Sequence, residues 1–330
     1  MQRDAPLVSV VMLAFNQREM VGEAMASLLA QDYPNYELIV SDDNSADGTF
    51  DEMQRIAAAY AGPHTIRVNK TTANRGTLSH LYEAVALSSG RFIVVAGGDD
   101  VSLPHRVSTL VAAWRDTGAD AMFSGCTVID ADGNALLDGI IWLDRTMQSY
   151  FPGRRAFKIA GAMAAYDRGV FETIALPDEP VYCEDIFFSL MLHYRGGKIT
   201  TVPDRLVLYR NHQNSLTNSY KSALSAEAGE LKAGRLYRDF AAILGRFQRM
   251  VESDLRRGGA RSDVDLGAVR KMRNYYEFAA NWAGMTLAGR LRRAATFRSS
   301  EQFRWILPRL FGLRMFLRMK KLQSSIRPRR

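Results

Sequence analysis

Short apolar runs alternate with helix-length segments over the first 125 residues, and this alternation constrains the fold more than any other feature. The five runs that we interpret as strands are Leu7–Leu13, Glu37–Ser41, His64–Asn69, Phe92–Ala96 and Ala119–Ser124. Between them lie segments with apolar residues at helical spacing. Because strands that alternate with helices are joined by crossovers, we expect a mostly parallel α/β sheet with helices on both faces.

Two pairs of adjacent acids, Asp42-Asp43 and Asp99-Asp100, follow the second and fourth predicted strands. Ligands of parallel sheets bind beyond the carboxyl ends of the strands, which is where both pairs fall. Two neighbouring carboxylates repel each other, and their usual partner is a hard cation such as Mg²⁺ or Mn²⁺ that also binds phosphate oxygens. Taken singly, each pair is also explained as a turn with one capping and one solvated aspartate.

Five segments in a fixed order give a more specific signal than either acidic pair. They are VSVVMLAFN (8–16), LIVSDDNSADGT (38–49), NRG (74–76), GRFIVVAGGDD (90–100) and EDIFF (184–188). Together they resemble the inverting glycosyltransferases of family 2, which have the GT-A fold. The resemblance is strong over residues 7–115, moderate to about residue 214 and absent beyond.

The resemblance implies a set of residues that bind a nucleoside-diphosphate sugar. Ala14 and Phe15, at the end of the first strand, would lie against the base, and Asp43 would accept a hydrogen bond from it. Asp99 would lie near the ribose or the metal, and Asp100 would be the principal ligand of Mn²⁺ or Mg²⁺. The resemblance implies a UDP-sugar as the donor, because this is the donor that members of the family commonly use.

Three further positions leave alternatives open. Gly98 stands where the first acid of a three-residue D-x-D motif would be, so metal binding is expected to depend on the last two positions. Arg75 is interpreted either as a phosphate ligand or as a solvated loop arginine. His212, in the loop after the last predicted strand, is either a metal or diphosphate ligand or a surface residue.

Glu184 and Asp185 stand at the start of a predicted helix, and Asp185 matches the family's catalytic base. Such a base takes the proton from the attacking hydroxyl group of the acceptor. The helix dipole favours an ionised carboxylate at this position. Capping of the helix is the alternative explanation of either acid.

Charge is divided unevenly along the chain. Residues 290–330 hold thirteen Lys and Arg against one acid, Glu301, so this segment is +12 and the rest of the +8 chain is −4. The segment 303–330 interleaves arginines with Trp, Phe and Leu, a pattern typical of helices that lie on an anionic membrane surface. Packing on the body or on a second subunit of a homo-oligomer is the alternative. No recognised nucleic-acid module is present, so no nucleic acid is expected as a partner.

We expect a GT-A catalytic domain over 1–220, with a nucleotide-sugar-binding half (1–125) and an acceptor-binding half (126–220), and a helical basic extension over 221–330. Two short strands are predicted on either side of Pro203, and the segments 227–256 and 263–293 are each predicted to form one amphipathic helix. The acceptor would be a glycan or a lipid-linked sugar of surface polysaccharide synthesis. Two cysteines without metal spacing and no signal-peptide pattern favour a cytoplasmic protein, with peripheral attachment to the inner face of the membrane through the basic tail.

Three other classes of protein share some of these sequence features. A nucleotidyltransferase would normally carry a glycine-rich phosphate loop after the first strand, where this chain has AFNQREM (14–20). A dinucleotide-dependent dehydrogenase is disfavoured because GxGxxG is missing. A non-catalytic protein that binds nucleotide sugars, or a membrane scaffold, is the remaining alternative.

Overall fold

The structure, a computed structural model, describes residues 5–138, 145–151, 156, 158–176, 181–212, 227–258 and 263–295. The chain divides into two compact units, residues 1–211 and residues 212–330. The first unit contains a nine-stranded sheet, and the described part of the second is helical. Among the described residues, no helix combines the length and the apolar character that crossing a bilayer requires.

The strands are β1 (Val8–Ala14), β2 (Tyr36–Asp42), β3 (Thr65–Lys70), β4 (Phe92–Gly97), β5 (Val101–Ser102), β6 (Ala121–Ile129), β7 (Ala135–Asp138), β8 (Ala164–Asp167) and β9 (Ile199–Arg210). The helices of the first unit are α1 (Arg18–Leu29), α2 (Thr49–Ala59), α3 (Thr77–Ala86), α4 (Arg106–Thr117), α5 (Arg145–Tyr150), α6 (Gly169–Thr173) and α7 (Glu184–Arg195). Those of the second are α8 (Glu227–Arg256), α9 (Leu266–Asn281) and α10 (Leu287–Ala294).

The first half of the sheet confirms the predicted parallel α/β arrangement. Strands β3, β2, β1 and β4 are neighbours in this order, and all three pairings are parallel. Every residue of β2 is buried, as are all of β1 except Leu13, so both faces of these strands are covered. This is the reason that their sequences lack the alternation of polar and apolar residues seen in half-exposed strands.

The second half of the sheet is mixed, which the local sequence pattern did not predict. The short strand β8 lies between β4 and β6 and is antiparallel to both. Strand β6 is parallel to β9 on its other side, and β9 also pairs with the short edge strand β5. The predicted fifth strand is therefore present as β6, but β8 separates it from β4.

Around Pro203 the structure has one long strand where the sequence predicts two short ones. Strand β9 runs through the proline, and its pairing with β6 shifts register between Val202 and Arg205. Proline cannot donate a ladder hydrogen bond and is confined within sheets to edges and bulges, so the irregularity accommodates it.

The second unit corrects a predicted helix. The segment 263–293 was expected to be one amphipathic helix, but it is divided into α9 and α10 by a 3₁₀ turn, Trp282–Gly284. The Thr286 side chain caps α10 by accepting a hydrogen bond from the main-chain N–H of Gly289 at 3.2 Å. A helix cap favours a new start at this point over a continuous helix. The basic tail that was expected to bind a membrane, 303–330, lies outside the described residues.

Candidate active site

Three adjacent strands end at the same edge of the sheet and place the predicted donor-binding residues side by side. Ala14 pairs with Asp42 at the end of β1, and its carbonyl accepts a hydrogen bond from the N–H of Asp43 at 2.9 Å. On the other side of β1, the N–H of Gly98 donates to the carbonyl of Leu13 at 2.9 Å. Ala14 is buried, whereas the Phe15 side chain is 46% exposed at this edge.

The two acids that follow β2 differ in their partners. Asp42 is fully buried, accepts hydrogen bonds from the N–H and Oγ of Ser45, and lies 3.8 Å from the Nζ of Lys70. Asp43 accepts hydrogen bonds from the main-chain N–H groups of Arg75 and Gly76 at 2.8 and 3.1 Å. Asp42 therefore closes its own turn, while Asp43 holds the turn of the NRG segment against the end of β2.

The loops that follow β1 and β2 are fastened to each other. The N–H of Asn16 donates to Ser45 Oγ at 2.7 Å, and the N–H of Gln17 donates to Thr49 Oγ1 at 2.9 Å. Asn16 adopts a positive φ of 51°, which asparagine tolerates better than most residues. These bonds give the edge around Phe15 a defined backbone shape.

The side chain of Arg75 forms an ion pair with another residue of the same chain. Its Nε lies 3.0 Å from Oε1 of Glu83 on α3, and both side chains are substantially exposed. An exposed ion pair of this kind is weak and can be exchanged for a ligand. A phosphate contact by Arg75 remains a prediction.

Asp99 and Asp100 direct carboxylate oxygens towards the same point above Gly97. A Cβ atom on Gly97 would lie 2.8 Å from Oδ1 of Asp99 and 3.0 Å from Oδ2 of Asp100, so the glycine leaves this point open. Burial, and after it the negative charge of Asp99, raises the pKa of Asp100 well above its usual range. The N–H of Arg210 and the charges of Arg106 and Arg210 act in the opposite direction. A positive ligand at this point would relieve the cost of the charged pair.

Gly98 has no room for a side chain, which explains why the three-residue D-x-D motif is incomplete here. A Cβ atom on Gly98 would lie 2.6 Å from Oε1 of Gln17 and 2.8 Å from Cβ of Ala14. Both distances are shorter than real Cβ contacts. An acid at this position would collide with the end of β1 instead of joining Asp99 and Asp100.

The donor set at Asp99 and Asp100 fits a divalent cation that shares its coordination with a substrate. Among the described residues, no group of three or more His, Cys, Asp or Glu side chains forms a complete metal site. Magnesium and manganese commonly bind through one or two carboxylates and complete their shell with substrate phosphates and water. The two carboxylate oxygens above Gly97 match that requirement. His212, two residues beyond Arg210, begins the second unit, and its role as a ligand remains a prediction.

Arg106 is a buried residue of the site that the sequence analysis missed. Its Nη2 donates to the carbonyl oxygens of Val95 and Ala162 at 2.7 and 2.9 Å, and its Nη1 donates to Ser102 Oγ at 2.9 Å. Burial lowers its pKa to about 10, against the opposing effect of Asp100, so the guanidinium remains charged at neutral pH. Arg106 thereby joins the end of β4 to the 3₁₀ turn Gly161–Met163.

Asp185 lies in the first turn of α7, next to that same 3₁₀ turn. Its Oδ1 accepts a hydrogen bond from the N–H of Ile186 at 2.7 Å, and its Oδ2 lies 3.1 Å from Nζ of Lys158. A Cβ atom on Gly161 would collide with Oε1 of Glu184 and lie 3.8 Å from Cβ of Asp185. The turn therefore packs directly on the two acids, and the Asp185 side chain keeps 22% of its surface exposed.

The segment before α7 is attached to the NRG turn that Asp43 holds. The carbonyl of Val181 accepts a hydrogen bond from the N–H of Leu78 at 3.1 Å. The Tyr182 ring packs against Gly76, since a Cβ atom on this glycine would lie 3.1 Å from the ring. Contacts through Gly76 and Tyr182 thus connect Asp43 with the start of α7. Contacts through Arg106 connect the end of β4 with the 3₁₀ turn beside Asp185.

The buried carboxyl group of Glu184 should make the free energy of unfolding depend on pH. Burial, and after it the charge of Asp185, raises the pKa of Glu184 from 4.5 to about 8. Between these values the folded state keeps a proton that the unfolded chain has released, so the free energy of unfolding falls as the pH rises. Glu184→Gln should remove this contribution. The free energy of unfolding of the variant, relative to that of the parent, should therefore be higher at pH 8 than at pH 5, as measured by urea unfolding. The exposed Glu172→Gln is the control; equal pH dependence of parent and Glu184→Gln would contradict the prediction.

A family model for glycosyl transferase family 2 matches residues 9–175, about half of the chain. The matched residues include β1 from Ser9 onward, all of β2 and β4, and both acidic pairs. EpsE of Bacillus subtilis, a putative glycosyltransferase, is 36% identical over 107 residues, which are 32% of this chain and 38% of that protein. TuaG of Bacillus subtilis, a putative teichuronic acid biosynthesis glycosyltransferase, is 25% identical over 66% of this chain and 84% of its own length.

Solved structures show the same fold at low sequence identity. TarS of S. aureus in complex with UDP-GlcNAc has a TM-score of 0.56 at 16% identity, covering 92% of this chain and 80% of that one. The mannosyltransferase PcManGT of Pyrobaculum calidifontis, in complex with GDP-Man and Mn²⁺, has a TM-score of 0.56 at 17% identity, covering 98% and 88%. With the family model, these matches confirm the resemblance seen in the sequence and the GT-A type of fold: the chain belongs to glycosyl transferase family 2.

Proposed function

We propose that the protein is an inverting glycosyltransferase that moves a sugar from a nucleoside-diphosphate sugar to a hydroxyl group of a glycan or lipid-linked acceptor. The observation that carries the proposal is the linkage of three groups of acids at one end of the sheet. Asp43 and the Asp99–Asp100 pair follow β2 and β4, the two strands on either side of β1. Contacts through Gly76 and Arg106 connect their surroundings to the start of α7, where Asp185 lies.

On the donor side, each strand end has a separate task in the proposal. Phe15, exposed beyond the buried Ala14, offers a ring on which a base can stack. The Asp43 carboxylate is held by two main-chain N–H groups and by the Thr71 hydroxyl, and its remaining acceptor capacity would serve the base. Asp99 and Asp100 would hold Mn²⁺ or Mg²⁺, with His212 as a further candidate ligand. A bound cation neutralises the charge that develops on the departing diphosphate.

On the acceptor side, Asp185 is the base. It takes the proton of the acceptor hydroxyl as that oxygen forms a bond to the anomeric carbon, while the bond from that carbon to the phosphate oxygen breaks. The electron pair of the broken bond leaves with the nucleoside diphosphate. Nζ of Lys158 lies 3.1 Å from Oδ2 of Asp185, so a lysine and the N-terminus of α7 both stand beside the proposed base.

The relatives bear on the nucleotide and the acceptor. The complexes of TarS with UDP-GlcNAc and of PcManGT with GDP-Man allow either nucleotide, and we propose UDP because the family resemblance favours it. TuaG is named for teichuronic acid biosynthesis, which supports a role for this chain in polysaccharide synthesis. Within this proposal, residues 126–220 bind the acceptor.

We also propose that the basic C-terminal segment keeps the enzyme at the inner face of the membrane, near a lipid-linked acceptor. The proposal is supported by the +12 charge of residues 290–330 and by the aromatic and aliphatic residues among its arginines. Packing of this segment in a homo-oligomer is the alternative that sedimentation with and without anionic vesicles would separate.

Donor binding provides the test of the proposed function. UDP with Mn²⁺ should raise the Tm of the full chain more than UDP alone, because a cation held by Asp99 and Asp100 would also bind oxygens of the diphosphate. Asp100→Ala should abolish the part of the shift that depends on Mn²⁺ and keep the part that UDP gives by itself. GDP with Mn²⁺ is the comparison for the base. Equal Mn²⁺-dependent shifts in Asp100→Ala and the parent would contradict the metal assignment, and no shift with any nucleoside diphosphate would contradict the function.

A further inference from the structure

Arg210, the last residue of β9, is an almost completely buried arginine, with 3% of its side chain exposed. A guanidinium group carries a permanent charge and five N–H donors, and burying it is costly unless its donors are paired. The partners that it has therefore indicate what the residue does.

Two of the hydrogen bonds of Arg210 hold the turn that contains the acidic pair. Its main-chain N–H donates to Oδ1 of Asp100 at 2.9 Å, and its Nε donates to the carbonyl oxygen of Asp99 at 3.0 Å. One residue thus fixes the carboxylate of the second acid and the backbone of the first. Oδ2 of Asp100, the other oxygen of that carboxylate, is the one that faces Gly97.

The other two nitrogens of the guanidinium form hydrogen bonds to the turn between β6 and β7 and to α1. Nη1 donates to the carbonyl oxygen of Ala131 at 2.7 Å, in the turn between β6 and β7. Nη2 donates to Oε2 of Glu23 on α1 at 2.5 Å, and the Glu23 side chain is 61% exposed. The positive charge is therefore balanced by Glu23, while the planar guanidinium binds two main-chain carbonyls and one carboxylate from three separate segments of the chain.

We infer that Arg210 is the positioning residue of the Asp99–Asp100 turn and sets the placement of both carboxylates for a divalent cation and a diphosphate. The inference rests on the proposed function and deepens it, because it names a residue outside the acidic pair on which cation binding depends. The pairing of Arg210 with Glu23 makes that placement depend, to a smaller degree, on α1.

Lysine cannot replace arginine in this arrangement. A lysine keeps the positive charge and the main-chain N–H that binds Asp100, but its single ammonium group cannot span the Asp99 carbonyl, the Ala131 carbonyl and Glu23 together. Arg210→Lys therefore separates the geometry of the fork from its charge. Glu23→Gln is the milder variant, since it keeps an oxygen acceptor at an exposed position and removes only the charge.

Manganese binding gives a readout that does not depend on turnover. Mn²⁺ is titrated into the full chain with saturating UDP, and free Mn²⁺ is followed by electron paramagnetic resonance. Arg210→Lys should weaken Mn²⁺ binding about tenfold, the equivalent of one lost hydrogen bond to a charged group. Glu23→Gln should weaken it about twofold, as expected for an exposed ion pair.

Arg168→Lys is the matched control, because Arg168 makes the same kind of bonds at the opposite end of β4. Its Nε donates to the carbonyl oxygen of Gly90 at 2.6 Å, and its Nη2 donates to Ser88 Oγ at 2.7 Å. The six residues of β4 place these bonds roughly 20 Å from the acidic turn. Arg168→Lys should lower the Tm and leave the affinity for Mn²⁺ unchanged.

The outcomes separate this inference from the proposed function. Weaker Mn²⁺ binding by Arg210→Lys, with Arg168→Lys unchanged, supports it. Unchanged Mn²⁺ binding by Arg210→Lys, or equal weakening by the two lysine variants, overturns it while leaving the proposed function intact. A parent protein that binds UDP but no Mn²⁺ overturns both the inference and the metal assignment. If Arg210→Lys does not fold, Glu23→Gln decides, and an affinity equal to that of the parent overturns the inference.

Discussion

Replacing Asp185 with asparagine is expected to lower the rate of sugar transfer by about 10²–10⁴-fold, the range that a positioned general base contributes. Asparagine has nearly the same shape and keeps an oxygen that accepts the hydrogen bond from Ile186. It has no carboxylate to take the proton of the acceptor hydroxyl. Donor binding should be unchanged, because the nucleotide is assigned to the ends of β1, β2 and β4. The measurement is release of the nucleoside diphosphate from the donor, together with a UDP titration.

Glu184→Gln is the control for this variant, since it makes the same chemical change one residue earlier. Burial raises the pKa of Glu184 to about 8, so its carboxyl group is already largely protonated at neutral pH, and the amide resembles that form. The loss of rate should therefore be much smaller than for Asp185→Asn. If Glu184→Gln is inactive and Asp185→Asn is active, the base is Glu184. If the parent turns over no donor and Asp185→Asn behaves identically, the enzymatic proposal is wrong and a non-catalytic nucleotide-sugar-binding protein takes its place.

The second large effect is expected from Gly97→Ala, which should weaken Mn²⁺ binding in the presence of UDP by about 10- to 100-fold. The added methyl group would stand 2.8 Å from Oδ1 of Asp99 and 3.0 Å from Oδ2 of Asp100. Both atoms are ends of side chains, so they can rotate away and relieve the collision. The site then loses its two oxygens, while the free energy of unfolding changes by about 1 kcal/mol or less.

Gly22→Ala is the matched control for the added methyl group. A Cβ atom at Gly22, on α1, would meet Glu52 and Ile56 at 3.6 and 3.7 Å, which are ordinary contact distances. This variant should bind Mn²⁺ and UDP as the parent does. The same titration tests both glycines, and Mn²⁺ binding by Gly97→Ala as tight as that of the parent would show that Asp99 and Asp100 do not bind the cation above Gly97.

The parts of the fold that could be predicted are those that local sequence determines. The buried strands β1, β2 and β4 are visible as apolar runs, and acids after two of them indicate a common edge, because parallel strands end together. Their adjacency in the structure confirms that expectation. The roles of Asp43, Asp100 and Asp185 in ligand binding stay predictions.

Features that depend on partners distant in sequence could not be predicted. Strand β8 lies between β4 and β6 because of pairings across some seventy residues to β4 and some forty to β6, and its own four residues give no sign of these partners. Arg106 and Arg210 resemble surface arginines in the sequence, yet their donors bind main-chain carbonyls of distant turns. The one sequence feature that could have indicated their burial is their position. Each arginine stands next to an apolar run, where an unpaired charge would be costly.

The close fit around Gly98 limits the order in which this motif can change during evolution. An aspartate at position 98 would complete a D-x-D motif, but its Cβ would collide with Cβ of Ala14 at 2.8 Å and with the Gln17 side chain at 2.6 Å. Gln17 can turn aside, whereas the methyl group of Ala14 is fixed to the backbone of β1. A lineage that gains the third acid therefore has either to shift the end of β1 or to lose the methyl group at position 14, so the change at position 98 is costly by itself.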